Sequence, residues 1–156
     1  MLREGDLAPS FELTNLSGGS WSLTRALASG PVLLVFFKIS CETCQFTFPF
    51  LQRLASSTPA DSMAIVAISQ DDAIGTRQFH ERFGISLPTL LDKPWAFPVS
   101  SAFDIAHVPS LFLVEPDGRI SLAVEGFSKA HLEQLGARFH AVPFGPHERI
   151  PAMRPG

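Results

Sequence analysis

Apolar positions along the chain fall into short blocks that switch between two periods. Pro31-Val-Leu-Leu-Val-Phe-Phe37 is a continuous apolar run entered through Ser29-Gly30-Pro31, the pattern of a strand buried on both faces after a turn. From Cys44 to Ala55, the residues Phe46, Phe50, Leu51 and Leu54 recur on one helical stripe. Met63 to Ser69 reads as a second buried strand. Asp72 to Phe83 predicts a helix capped by Asp71 or Asp72, facing inward through Phe79 and Phe83 and stopped at Gly84, with Gly75 weakening its first turn. Leu87 to Leu91 is a short strand broken by Pro88, and a single helical turn is expected around Ser100 to Phe103.

Leu111 to Val114 is a third strand. Glu115-Pro-Asp-Gly118 then has proline and glycine where a hairpin turn wants them, so Ile120 to Val124 returns antiparallel. Ser128 caps a last helix carrying Leu132, Leu135 and Phe139 at spacings of three and four. The order predicts an α/β fold: a mixed central sheet with helices on both faces.

Composition narrows the function. The chain has 156 residues, 46% hydrophobic and 17% charged, so it is long enough to bury one core and is not generally disordered. A net charge of −3 offers no basic surface for nucleic acid. The start lacks an apolar leader, and Val32–Phe37 is far shorter than the roughly 20 residues a membrane span needs. The expectation is a soluble cytoplasmic chain without membrane insertion. Aromatics are 14 Phe, 2 Trp and no Tyr, rings that mostly need no hydrogen-bond partner. The segment 143–156 holds four prolines and two glycines and reads as a tail wrapped loosely on a domain spanning 1–142, whose residues 1–30 form an N-terminal extension.

Two cysteines remain, Cys41 and Cys44, in Lys38-Ile39-Ser40-Cys41-Glu42-Thr43-Cys44. The first follows a buried strand and the second lies in the opening turn of a helix. Unpaired N–H groups at a helix N-terminus favour an anion, so a thiolate placed there is stabilised. Cys41 is the natural nucleophile, and Cys44, one turn on, is near enough to attack a mixed disulfide. This spacing suits dithiol–disulfide exchange. An inert buried pair is the bland alternative. A zinc site would need two more ligands, and His80, His107, His131, His140 and His147 show no paired spacing.

Four stretches resemble the thioredoxin superfamily, in its TlpA/ResA-like branch related to alkyl hydroperoxide reductase-type peroxiredoxins. They are Gly5-Asp-Leu-Ala-Pro-Ser-Phe-Glu-Leu13 with the following Gly18-Gly19 and Trp21-Ser22-Leu23, the C-x-x-C itself, Pro49 five residues after Cys44, and Val108-Pro-Ser-Leu-Phe-Leu-Val-Glu-Pro-Asp-Gly-Arg-Ile120. The resemblance implies a thioredoxin-like fold, Cys41 as attacking and Cys44 as resolving cysteine, and Pro109 as a cis-proline facing the thiols. It further implies that Val108 offers its backbone to an extended substrate, with Glu42 and Thr43 beside it. No cofactor is expected beyond the Cys41–Cys44 disulfide. The implied partners are a disulfide-bearing protein or small thiol substrate and a thiol reductant.

The departures matter too. Ser40 replaces the usual Trp before the first cysteine, Glu42-Thr43 replace Gly-Pro, and Val35 occupies the place of a buried acid six residues before Cys41. A proton acceptor for Cys44 must then come from elsewhere. Glu42 opposes a thiolate if it faces the sulfur, relays a proton, or simply suits the first helical turn. Lys38 is a candidate to steady the thiolate. A peroxiredoxin-like peroxidase is the alternative enzyme, weakened by the lack of a proline ahead of Cys41 and by Pro109 where an arginine is expected. A redox-inert binding module is the third reading, with Phe46 and Phe48 as an apolar docking surface.

Overall fold

Every residue of Val32–Phe37 is buried, because this strand lies in the middle of the sheet with partners on both sides. The computed structural model describes all of Met1–Gly156. The elements are β1 (Glu12–Asn15), β2 (Ser20–Ser22), α1 (Leu23–Leu27), β3 (Val32–Phe37), α2 (Glu42–Ser57), β4 (Ala64–Ser69), α3 (Ala73–Phe83) and β5 (Thr89–Leu91). They continue through α4 (Pro98–Ala102), β6 (Ser110–Val114), β7 (Ile120–Glu125), β8 (Phe127–Ser128), α5 (Lys129–Phe139) and β9 (Met153–Arg154). Seven strands form one sheet in the order β2-β1-β5-β4-β3-β6-β7. β3, β4 and β5 are parallel, and the outer strands join them antiparallel, which gives the expected mixed α/β sheet.

Alternation along β3 divides the core into two layers. Leu33, Val35 and Phe37 pack with α2, α3 and α5 on one face. Val32, Leu34 and Phe36 pack with α1, α4 and the N-terminal segment on the other. Each layer is closed by phenylalanines. Phe37, Phe48 and Phe79 have centroids 4.4–5.2 Å apart, and Phe36, Phe103 and Phe112 lie 5.0–5.9 Å apart. No buried side-chain nitrogen or oxygen lacks a hydrogen-bond partner, as suits a core whose rings carry no hydroxyl.

Residues 1–30 add more than an extension. β1 and β2 form a hairpin that completes the sheet beyond β5, and Ser22 caps α1. These strands are too short and mixed in polarity for periodicity to reveal; pairing to β5 makes them. The segment 143–156 is ordered onto the surface, its β9 pairing antiparallel with β8.

The helical turn expected around Ser100 to Phe103 is α4, which begins two residues earlier, at Pro98. Its preceding residue, Phe97, supplies no side-chain cap. The cap comes instead from Asp92, fully buried, whose carboxylate accepts from Val99 N at 3.2 Å, Ser100 N at 2.8 Å and Ser100 Oγ at 2.7 Å. Asp92→Ala therefore leaves two buried N–H groups without an acceptor. Its expected cost is about 3 kcal/mol, measured as a lower urea midpoint with an unchanged slope.

Candidate active site

The apolar run of β3 ends at Phe37, and the chain turns at once into α2. Cys41 is the N-cap of that helix: its backbone is extended (φ −80°, ψ 114°), and its Sγ accepts the Cys44 N–H at 3.1 Å. A thiol thus fills the position usually taken by Ser, Thr, Asp or Asn. The helix begins at Glu42, two residues before the expected start, so the sulfur of Cys41 lies directly on the helix terminus. One local and one long-range bond fix the approach. Gln45 Nε2 donates to Ile39 O at 2.9 Å, and Ile39 N donates to Asp71 Oδ2 at 2.8 Å.

Both cysteines are free thiols in unequal surroundings. Cys41 is partly exposed and Cys44 is fully buried. Burial pushes the Cys44 thiol far above its ordinary range, its hydrogen bond to Cys41 and the charges of Cys41 and Asp71 act the same way, and the Lys38 backbone opposes them. Cys44 therefore rests as a protonated thiol behind an accessible sulfur.

The third wall is the loop ahead of β6. The Val108–Pro109 bond is cis, in agreement with the resemblance. The Cys41 thiol donates to Val108 O at 3.4 Å, and Ser110 Oγ holds the loop by donating to His107 O at 2.7 Å. Cys41, Glu42, Thr43, Ala106, His107 and Val108 line an open cleft of about 450 Å³ whose remaining wall is Pro155-Gly156.

Of the residues expected at the site, Cys41, Cys44 and Val108 are joined by hydrogen bonds, and Pro109 follows Val108 through the cis bond. Glu42 is an exposed first-turn acid at the cleft mouth. Thr43 turns inward, and its Oγ1 donates to Pro155 O at 2.5 Å, so it holds the C-terminal segment. Lys38 is exposed, whereas Phe48 is fully buried under Phe37 and Phe79 and forms no docking surface. Phe46 packs against Phe50 and Phe127 beneath the Arg154 guanidinium.

Sequence reasoning missed two participants. One is Asp71, weighed only as a helix cap; Asp72 takes that role. Its available signal was position, since parallel strands deliver the loops after β3 and β4 to the same sheet edge. The other is the segment 152–156, for which composition gave no sign of a target.

The model of the AhpC/TSA family matches residues 5–123. The chain belongs to the AhpC/TSA family. This AhpC/TSA-family chain is 29% identical over 126 residues to the thiol-disulfide oxidoreductase ResA of Bacillus subtilis (strain 168), covering 80% of this chain and 69% of that protein. It is 30% identical over 134 residues to the methylamine utilization protein MauD of Methylorubrum extorquens, covering 84% of this chain and 62% of that one. In three dimensions it resembles the thioredoxin domain of a thiol-disulfide oxidoreductase from Bacteroides vulgatus, with a TM-score of 0.78, 22% identity and coverage of 89% and 99%. A putative thiol:disulfide interchange protein DsbE from Chlorobium tepidum superposes with a TM-score of 0.77 at 23% identity, covering 88% and 96%. These likenesses show the thioredoxin-like fold. The family match contains Cys41, Cys44 and Pro109 and stops short of β8, α5 and β9.

The unequal thiols give a direct check. At about pH 8, iodoacetamide should label Cys41 of the native reduced protein and spare Cys44 until urea unfolds the chain. Peptide mapping by mass spectrometry reads both sites, and equal native labelling would contradict the assigned roles.

Proposed function

We propose that this AhpC/TSA-family chain is a thiol–disulfide oxidoreductase working through Cys41 and Cys44. The observation that carries the reading is the placement of the two sulfurs. Cys41 Sγ sits at the N-terminus of α2, takes the Cys44 N–H and faces the cleft, while Cys44 stands buried one turn behind it. The names of the ResA relatives support the same chemistry.

The steps follow from that placement. The Cys41 thiolate attacks one sulfur of a substrate disulfide; a Cys41–substrate bond forms, and the other substrate sulfur leaves as a thiolate and takes a proton. Cys44 then loses its proton and attacks Cys41 Sγ, releasing the second substrate thiol. The substrate disulfide gains two electrons and two protons, and the Cys41–Cys44 dithiol becomes a disulfide. A thiol reductant reverses the change for the next cycle. Burial that keeps Cys44 protonated suits this order, because the resolving sulfur is withheld until the mixed disulfide forms. The cleft walls include no Arg or Lys that would polarise a peroxide, which favours disulfides over peroxide as the substrate.

Titration in glutathione buffers followed by an insulin reduction assay tests this. The native chain should show a reversible two-electron couple and reduce insulin. Cys41→Ser should lose at least about a thousandfold in rate, as removal of an essential nucleophile does, whereas Cys44→Ser should trap a mixed disulfide visible by mass. Rapid peroxide consumption with no insulin reduction would defeat the proposal.

A further inference from the structure

The C-terminal segment runs along β8 and up to Val108, the residue whose backbone the resemblance offers to a substrate. Lys129 N donates to Ala152 O at 3.0 Å, and β9 pairs with β8 through Phe127↔Arg154 and Ser128↔Met153. Pro155 O accepts from Thr43 Oγ1 at 2.5 Å, and the Arg154 guanidinium stacks 4.5 Å from the Phe46 ring centroid. Gly156 lies directly against the Val108 carbonyl, so closely that a side chain at 156 would collide with it. The path demands a second glycine. Gly126 has φ +77°, and a Cβ there would stand 2.6 Å from Arg154 O and 3.3 Å from Gly156 N.

These contacts bring residues 152–156 onto the Val108 backbone and make them one wall of the cleft that leads to Cys41. An extended peptide that adds to Val108 needs the backbone edge that Gly156 covers, beside the carbonyl to which Cys41 Sγ is hydrogen-bonded at 3.4 Å. A small disulfide needs only the sulfur, which stays reachable through the cleft between Glu42, Ala106 and His107. The attachment is also light: β9 is two residues long, and Met153 is 70% exposed.

We propose that Ala152–Gly156 is a built-in occupant of the substrate edge and sets the specificity of the thiol site. Seated, it admits small disulfides to Cys41 and excludes extended polypeptide disulfides; lifted, it exposes Val108 for strand addition by a protein substrate. The specificity part rests on the thiol–disulfide reading above. The seat itself does not.

The test compares the full chain, a chain lacking residues 152–156, and full-length Arg154→Ala, each on insulin and on oxidised glutathione. Removing the segment should raise kcat/KM on insulin about tenfold, the factor expected if roughly one molecule in ten is open. The value on oxidised glutathione should stay within about twofold, because its route to Cys41 is open in both forms. Arg154→Ala should move the insulin value in the same direction by a smaller factor, in a chain that keeps every backbone contact. An unchanged insulin-to-glutathione ratio in both variants, or a lower one, overturns the proposal. Alkylation of Cys41 by a polyethylene-glycol maleimide against iodoacetamide reads the seat without disulfide chemistry. The bulky reagent should gain on the small one when the segment is removed, and equal gains overturn the proposal. A protein that alkylates as expected yet exchanges no disulfide keeps the seat and removes the oxidoreductase reading instead.

Discussion

The hydrogen bond from the Cys44 backbone N–H to the Cys41 sulfur organises this molecule, because it makes a thiol the cap of a helix. For that bond to form, β3 must end one short turn before α2 begins, and the turn must not drift. β3 supplies the first condition by its place between β4 and β6, which fixes where Phe37 ends. Asp71 and Gln45 supply the second by holding the two sides of Ile39. The reactive sulfur is therefore positioned by backbone and by side chains from two neighbouring elements, with no dedicated binding loop.

Burial then separates two cysteines that the sequence makes nearly equivalent. Helical geometry turns Cys44 inward, toward the layer containing Val35, Phe37 and Phe48, and leaves Cys41 at the cleft. In that layer a charged sulfur is poorly solvated, so Cys44 keeps its proton until the chemistry needs it. The same aromatic packing that stabilises the fold thus makes the two thiols unequal. Val35 contributes by being apolar: no acid stands beneath the thiols from β3, and Asp71, after β4, is engaged in holding Ile39 N.

The C-terminal segment follows from geometry of another kind. β7 leads to β8 through Gly126, whose positive φ and missing side chain leave room for Arg154 and Gly156 to pass. Ser128 caps α5, and α5 carries the chain away before it returns to pair with β8. Buried Thr43 and half-buried Phe46, on α2, meet the returning strand. Side chains of the catalytic helix that look available for substrate thus face a segment of their own chain.

Much of the site was legible in the residues because its parts are local. Strand runs, the Asp72 and Ser128 caps, the Gly84 stop, the Glu115–Gly118 turn and the strand–cysteine–helix junction all arise from interactions within a few positions, which composition and periodicity record. Pro109 and Val108 were legible by resemblance. What the sequence did not disclose spans long loops or depends on pairing. The β1–β2 hairpin is a strand pair only against β5, and the cap of α4 is Asp92, outside the helix it serves. The inward turn of Thr43 is set by a partner 112 positions away. By itself the sequence determined the fold class and the placing of two cysteines at a strand–helix junction, because local patterns record both. Only the tertiary structure decided that Asp71 holds the turn before Cys41 and what covers Val108, because those contacts form between segments whose local patterns carry no record of each other.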